Sequence, residues 1–241
     1  MRVSTLSLAD FRNHERLELE FPAGATTIVG RNGRGKTNIV ESVNYLATLA
    51  SHRVNGDAPL IRHGCPSARI CASLTKAQRT ATVEVTLNIS GSNQVSINGA
   101  AQRRPRDLLG LVTAVVFAPE DLELVKGDPA SRRRYVDELA TQLAPRVAGT
   151  RSDFDRVLRQ RSALLKSAGR RSVGAAQTLD VWDEQFAIHG AALVHERLTA
   201  LDRVAPWITQ HGELISGGTE PLRAEYSTKW LDPGTRDVSA I

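Results

Sequence analysis

Apolar and polar positions alternate near the start of the chain. In residues 2–8, Val3, Leu6 and Leu8 are the apolar positions and predict a strand. Residues 15–21 alternate more strictly: Leu17, Leu19 and Phe21 share one face, and Glu18 and Glu20 the other. Between them, Asp10-Phe11-Arg12-Asn13-His14 reads as a polar turn around one aromatic. Residues 25–29, Ala-Thr-Thr-Ile-Val, form a short β-branched run of the kind expected of a buried strand. Ile39, Val43, Leu46 and Ala50 then recur at helical spacing. Residues 51–57 read as a loop. Residues 68–74, 80–89 and 94–97 read as antiparallel strands, with turn signals at Gly91-Ser92-Asn93 and Asn98-Gly99. The run Leu-Val-Thr-Ala-Val-Val-Phe-Ala at 111–118 is almost unbroken and predicts a strand buried on both faces. Pro119-Glu120-Asp121 follows as a helix start.

Strand signals stop near Gly127. Helical patterns run from Pro129 to about Gln210, with breaks expected near Pro145, at 169–174 and at Pro206, and a last short strand is expected at 222–227. The division predicted is therefore residues 1–127, an α/β lobe, and residues 128–241, a mostly helical arm. No repeat of 20–50 residues is visible, and no heptad pattern is sustained.

The strand–turn–helix around residue 30 carries the chemistry. Gly30-Arg31-Asn32-Gly33-Arg34-Gly35-Lys36-Thr37 fits G-x-x-x-x-G-K-[ST], the Walker A phosphate loop. Its glycines leave room for backbone N–H groups to wrap a phosphate, and the following helix aims its positive end there. Lys36 is expected to reach the β- and γ-phosphates of ATP, and Thr37 to bind Mg²⁺ through its hydroxyl. Asn38 begins the helix behind the loop. One hairpin upstream, Arg12 and Asn13 are further candidates for contact with the nucleotide.

Composition narrows the setting. The 241 residues carry 31 Lys and Arg against 26 Asp and Glu, a net charge of +5 that permits a polyanion partner without requiring one. No apolar run approaches the roughly 18–20 residues needed to cross a membrane, and residues 1–8 lack a signal-peptide pattern. Cys65 and Cys71 are the only cysteines and make no metal site, so a reducing cytoplasm is the expected compartment.

Several longer stretches are more specific than the phosphate loop. ADFRNHERLELEF, GRNGRGKTNIVES, Ser51-His52-Arg53, FAPEDLELVKGDPASRRRYVDEL, VLRQRSALLK and LDVWDEQFAIHGA together resemble the RecF family of bacterial recombination-repair ATPases, over essentially residues 1–230. The resemblance implies an α/β fold, a P-loop ABC-type ATPase head with a mixed sheet and an antiparallel subdomain, plus a helical arm. It is related to the heads of SMC proteins and of Rad50. It further implies an ATP-induced homodimer that grips gapped or single-stranded DNA without sequence preference. That dimer works with RecO and RecR to load RecA, in DNA replication and the SOS response to damage, with weak ATPase activity. The competing readings are a nucleotide-sensing scaffold that does not turn over and another SMC-like ATPase.

The family's signature motif and Walker B carboxylate are expected beyond Ile241, which makes this chain resemble a fragment with an incomplete ATPase site. Leu214-Ile215-Ser216-Gly217-Gly218 mimics the signature but reads as a turn. The resemblance puts Arg12 and Asn13 at the phosphates. It also puts residues 117–127 where other ABC ATPases have a glutamine loop; Glu120 and Asp121 stand there, as helix caps or as catalytic groups. Arg132, Arg133 and Arg134, with Arg159 and Lys166 and the neighbouring Arg156 and Arg161, are candidates for DNA phosphates. The alternative is a solvated face that pairs with Asp137 and Glu138.

Overall fold

The structure, a computed structural model, describes residues 1–76, 79–167 and 173–228. The chain divides into two compact units, Met1–Gly127 and Asp128–Ile241.

The first unit is built on six antiparallel strands in the order β2-β1-β3-β4-β5-β6: β1 Arg2–Phe11, β2 His14–Glu20, β3 Ser67–Lys76, β4 Arg79–Asn88, β5 Gln94–Ile97 and β6 Ala100–Ala101. Alternation dictates which face is dry. Leu6 and Leu8 on β1 lie opposite Ala72 and Ile70 on β3, and these lie opposite Val83 and Val85 on β4. All are buried, and they form one core with Ile39, Tyr45, Leu46 and Ala47 of helix α1, Lys36–Thr48. Each buried Leu, Ile or Val among them stabilises the fold by about 1.5–3 kcal/mol. The other sheet face, with Arg16, Glu18, Arg69 and Thr82, is polar and solvated. The Tyr45 hydroxyl donates to Asp57 (2.9 Å), which also accepts from Asn93 (2.6 Å). Burial, then the Asp57 charge and hydrogen bond, push the phenol pKa up. Cys65 and Cys71 are free and partly buried.

Two expected strands are not strands. Residues 25–29 join no ladder, and Val29 is 84% exposed, although Ile28 packs on the core. Residues 113–118 join none either, and Val115 and Phe117 are 97% and 94% exposed; Val112 is buried, in a single bridge with Leu109. The reason is that apolar content suits a strand to burial, but a strand exists only where a neighbour takes its hydrogen bonds. Among the described residues no neighbouring strand runs alongside these two stretches. The helix start at Pro119 takes the form of a 3₁₀ turn, Pro119–Leu122, followed by α2, Glu123–Lys126.

The second unit holds α3, Pro129–Leu143, α4, Val147–Ser167, and α5, Val173–Ser216. The break at Pro145 is present. Of the break expected at 169–174, residues 169–172 lie outside the described residues, and Val173 onward is helical. Pro206 does not break α5. An interior proline costs about 3 kcal/mol, and the rest of this 44-residue helix keeps its ladder. Residues 222–227 pair with no strand, correcting the last expected one. Ser216-Gly217-Gly218 ends α5, with Gly217 and Gly218 at φ 64° and 80° and Gly218 N–H donating to the Glu213 carbonyl (2.9 Å). It is a helix stop, as its turn reading anticipated.

Asp137 pins the three helices. It is 4% exposed and accepts from Arg197 Nε (2.6 Å) and Nη2 (2.9 Å), with Arg151 at 3.8 Å. Arg197 also donates to the Tyr226 hydroxyl. Burial opposes its charge, yet the Asp137 pairing prevails and raises the Arg197 pKa. The bidentate partner of Asp137 is therefore an arginine of α5, 60 residues away, and not a member of the arginine triplet on its own helix. Arg146 pairs with Glu196, tying the chain just before α4 to α5.

Candidate nucleotide site

Gly35 starts the site. It is the N-cap of α1 at φ 89°, and no side chain caps the helix, nor does its first turn carry an acid. The first N–H groups of α1 are thus left for an external acceptor. A Cβ at Gly35 would run into the His14 ring and the Asn13 amide oxygen, so glycine is required for conformation and for space. Lys36 reaches back over the loop and donates to the carbonyls of Gly30 (2.7 Å) and Arg31 (3.0 Å). Thr37 is exposed on the first turn, and Arg31, Asn32 and Arg34 are exposed on the loop. An uncapped helix end, a lysine over a glycine-rich loop and an exposed hydroxyl fit a polyphosphate with its Mg²⁺. Lys36 would hold phosphate oxygens and Thr37 the metal.

The β1–β2 turn supports the loop. Arg12 sits at φ 56°, a left-handed conformation that costs a non-glycine residue roughly 1–2 kcal/mol. The turn is held by Arg12 N–H on the Leu60 carbonyl (2.7 Å) and Arg62 N–H on the Asp10 carbonyl (2.8 Å). Asn13 donates to the Gly33 carbonyl (3.3 Å) and accepts from the Asn38 amide (2.8 Å). His14 Nε2 lies 3.1 Å from the Gly35 carbonyl, a bond that requires the proton on Nε2.

Arg12 and Asn13 thus take different directions. Asn13 is on the loop. Arg12 gives Nε and Nη2 to Glu41 (2.9 and 2.6 Å) and Nη1 to the Pro59 carbonyl (2.9 Å). Glu41, on α1, is fully buried; it also accepts from Ser51 (2.5 Å) and Arg53 (3.3 Å). Burial alone would push its pKa up. The bonds from Arg12 and Ser51 and the charges of Arg12 and Arg53 outweigh that and hold it below its ordinary value. Arg53 continues to Asn38 (3.0 Å) and lies 3.8 Å from Glu120. Asp121 accepts from Ala118 N–H (2.7 Å), capping its turn. Sequence reasoning missed Glu41, Ser51, Arg53 and His14. The available signal was their place in the specific stretches Asp10–His14, Gly30–Ser42 and Ser51–Arg53, which gives no role to each residue.

In the helical unit, Arg132, Arg133 and Arg134 are all exposed at the start of α3, whose N-cap Asp128 accepts from Ala130 (2.7 Å) and Ser131 (3.1 Å). These backbone bonds, then the nearby arginines, lower its pKa. Arg159 and Lys166 are exposed on α4, seven residues apart and so on one face. Arg156 pairs with Asp153 one turn away on α4. Arg161 pairs with Asp183 of α5 while lying over the Phe186 ring (5.3 Å), and so holds two helices together.

A glycine-rich loop feeding an uncapped helix, backed by an antiparallel sheet and joined in the chain to a helical unit, defines a P-loop ATPase head of the ABC/SMC kind. The sequence matches the RecF/RecN/SMC N-terminal domain over residues 2–224, and the chain belongs to that family. Its relatives include the DNA replication and repair protein RecF of Streptomyces avermitilis, 49% identical over 99% of this chain and 65% of the relative. RecF of Kineococcus radiotolerans is 49% identical over 94% of this chain and 59% of the relative. The chain thus spans less than two thirds of the length of either relative. The solved structure of the recombination mediator protein RecF-ATP in the RecFOR pathway superposes with a TM-score of 0.82 at 24% identity. The match covers 89% of this chain and 58% of that one, and establishes the likeness of fold. Among the described residues, no helix is long and apolar enough to cross a membrane.

Proposed function

We propose that this chain is the ATP-binding and arm portion of a RecF protein of recombinational DNA repair. In this reading residues 1–127 form the nucleotide-binding lobe and residues 128–241 the arm. The observation that carries it is Lys36 bridging the carbonyls of its own phosphate loop in front of an uncapped helix. A phosphate would take over the lysine and the helix N–H groups together, replacing bonds from the ammonium to neutral carbonyls with bonds to an oppositely charged acceptor. Thr37 would hold Mg²⁺ beside it. The whole protein would dimerise around ATP, hold DNA electrostatically and act with RecO and RecR. The name and ATP complex of its relatives support this role.

Titration of a fluorescent ATP analogue with Mg²⁺ into wild type and Lys36→Ala tests the nucleotide assignment. Saturable binding that Lys36→Ala weakens by about two orders of magnitude is expected, since the phosphate then loses the ammonium that reaches over the loop. Equal affinities would refute it.

A further inference from the structure

Beyond its expected phosphate ligands, the head contains a directed hydrogen-bond chain that ends on the phosphate loop. Its start is Glu41, buried completely and in the second turn of α1. Its two oxygens are shared among Arg12, Ser51 and Arg53. Arg53 Nη1 reaches both Glu41 (3.3 Å) and the Asn38 side-chain oxygen (3.0 Å). Asn38 Nδ2 donates to the Asn13 side-chain oxygen (2.8 Å), and Asn13 Nδ2 donates to the Gly33 carbonyl (3.3 Å).

The direction of this chain is decided by chemistry at both ends, a guanidinium that only donates and a carbonyl that only accepts. A guanidinium has donors and no acceptor, so it can meet only the oxygen of Asn38. That leaves the Asn38 nitrogen for Asn13, which must answer with its own oxygen and turn its nitrogen to Gly33. The Arg53 cation at one end and the Gly33 carbonyl, an acceptor only, at the other therefore call for the same orientation of both amides. The peptide after Gly33 is planar and trans, so its carbonyl and the N–H of Arg34 point in opposite directions. Holding the carbonyl on Asn13 turns the Arg34 N–H away from it.

We propose that Glu41 and Arg53 are positioning residues of the nucleotide site: through Asn38 and Asn13 they lock the Gly33–Arg34 peptide so that its N–H faces the phosphate. The proposal rests on the nucleotide-binding reading above. The burial of Glu41 acquires a reason, because a carboxylate out of water holds Arg53 at one angle, whereas a solvated one would let it swing.

The test compares wild type with Arg53→Met, Asn13→Ala, their double variant and Glu41→Gln, all confirmed folded by circular dichroism. Val95→Ala, a core change distant in sequence from the relay, controls for simple destabilisation. Affinity for a fluorescent ATP analogue is measured well below each melting temperature. Arg53→Met and Asn13→Ala are each expected to weaken binding about tenfold, the double variant no more than the worse single, and Val95→Ala not at all. Unchanged affinity in Arg53→Met, or fully additive effects in the double variant, would overturn the proposal. Should Glu41→Gln not fold, Arg53→Met decides, since that side chain is a third exposed. Amide exchange of the nucleotide-free protein gives a reading independent of ATP. Faster exchange confined to residues 30–41 in Arg53→Met and Asn13→Ala supports the relay, and unchanged or uniformly faster exchange overturns it. If wild type binds no nucleotide, the ATP assignment fails and the exchange result alone judges the relay.

Discussion

Arg12 meets Glu41 side-on, Nε 2.9 Å from one carboxylate oxygen and Nη2 2.6 Å from the other, across 29 residues of sequence. The carboxylate is wholly buried and the guanidinium mostly so. Such a pair joins the first hairpin to the helix behind the phosphate loop, and its charge makes the fold sensitive to acid.

Because the folded pKa of Glu41 lies below its unfolded value, its contribution is complete above about pH 4.3 and is lost as pH falls through the lower folded value. Glu41→Gln should therefore lower stability at neutral pH and flatten the acid limb of the stability curve. Urea midpoints between pH 3 and 7 (about the carboxylate range) check this. Parallel acid limbs in the two proteins would show that other carboxylates dominate.

Gly35→Ala should destabilise the first unit by about 2–4 kcal/mol, from the left-handed φ and the overlap with His14 and Asn13. Adding His14→Ala should recover part of this, because it removes the overlap with the ring but leaves that with Asn13 and the backbone strain. Thermal melts of the three proteins read this directly, and full recovery would mean that the backbone conformation costs nothing.

Removing Arg197 leaves Asp137 buried without its bidentate partner, Arg151 standing 3.8 Å off. Arg197→Met should cost about 3–5 kcal/mol, and Asp137→Leu with Arg197→Met together much less, because the buried charge goes with its partner. Denaturant unfolding of the singles and the double gives the coupling. Equal destabilisation in Arg197→Met and in the double variant would contradict it.

DNA binding by the arm should be electrostatic and indifferent to sequence. Arg159→Glu with Lys166→Glu should weaken binding to all duplexes alike and reduce the salt slope by roughly 0.9 for each phosphate no longer neutralised. Fluorescence anisotropy at several salt concentrations measures both. Unchanged affinity with a lowered melting temperature would leave these residues structural and move the DNA surface elsewhere. Arg156 and Arg161 are poorer probes, since each already has an acidic partner.

Much of this was readable along the chain. Alternation in residues 15–21, 68–74 and 80–89 sets which face of a strand is dry, and the register of β3 and β4 follows from it, as the pairing of Ile70 with Val85 illustrates. The phosphate loop is equally local, because Gly33, Gly35 and Lys36 act through backbone freedom and one side chain within a single short turn. Tertiary structure decided the rest. Residues 25–29 and 111–118 have strand composition, yet pairing depends on a neighbour that composition does not specify. Its place beside the loop makes Arg12 a candidate for nucleotide contact; only the fold shows that its side chain also meets Glu41 and the Pro59 carbonyl, 29 and 47 residues away. Arg53 and Asn38 meet only because α1 and the loop after it fold back on one hairpin. Local conformation follows from sterics of a few residues, whereas the orientation of a charged side chain follows from whichever opposite charge the fold brings within reach.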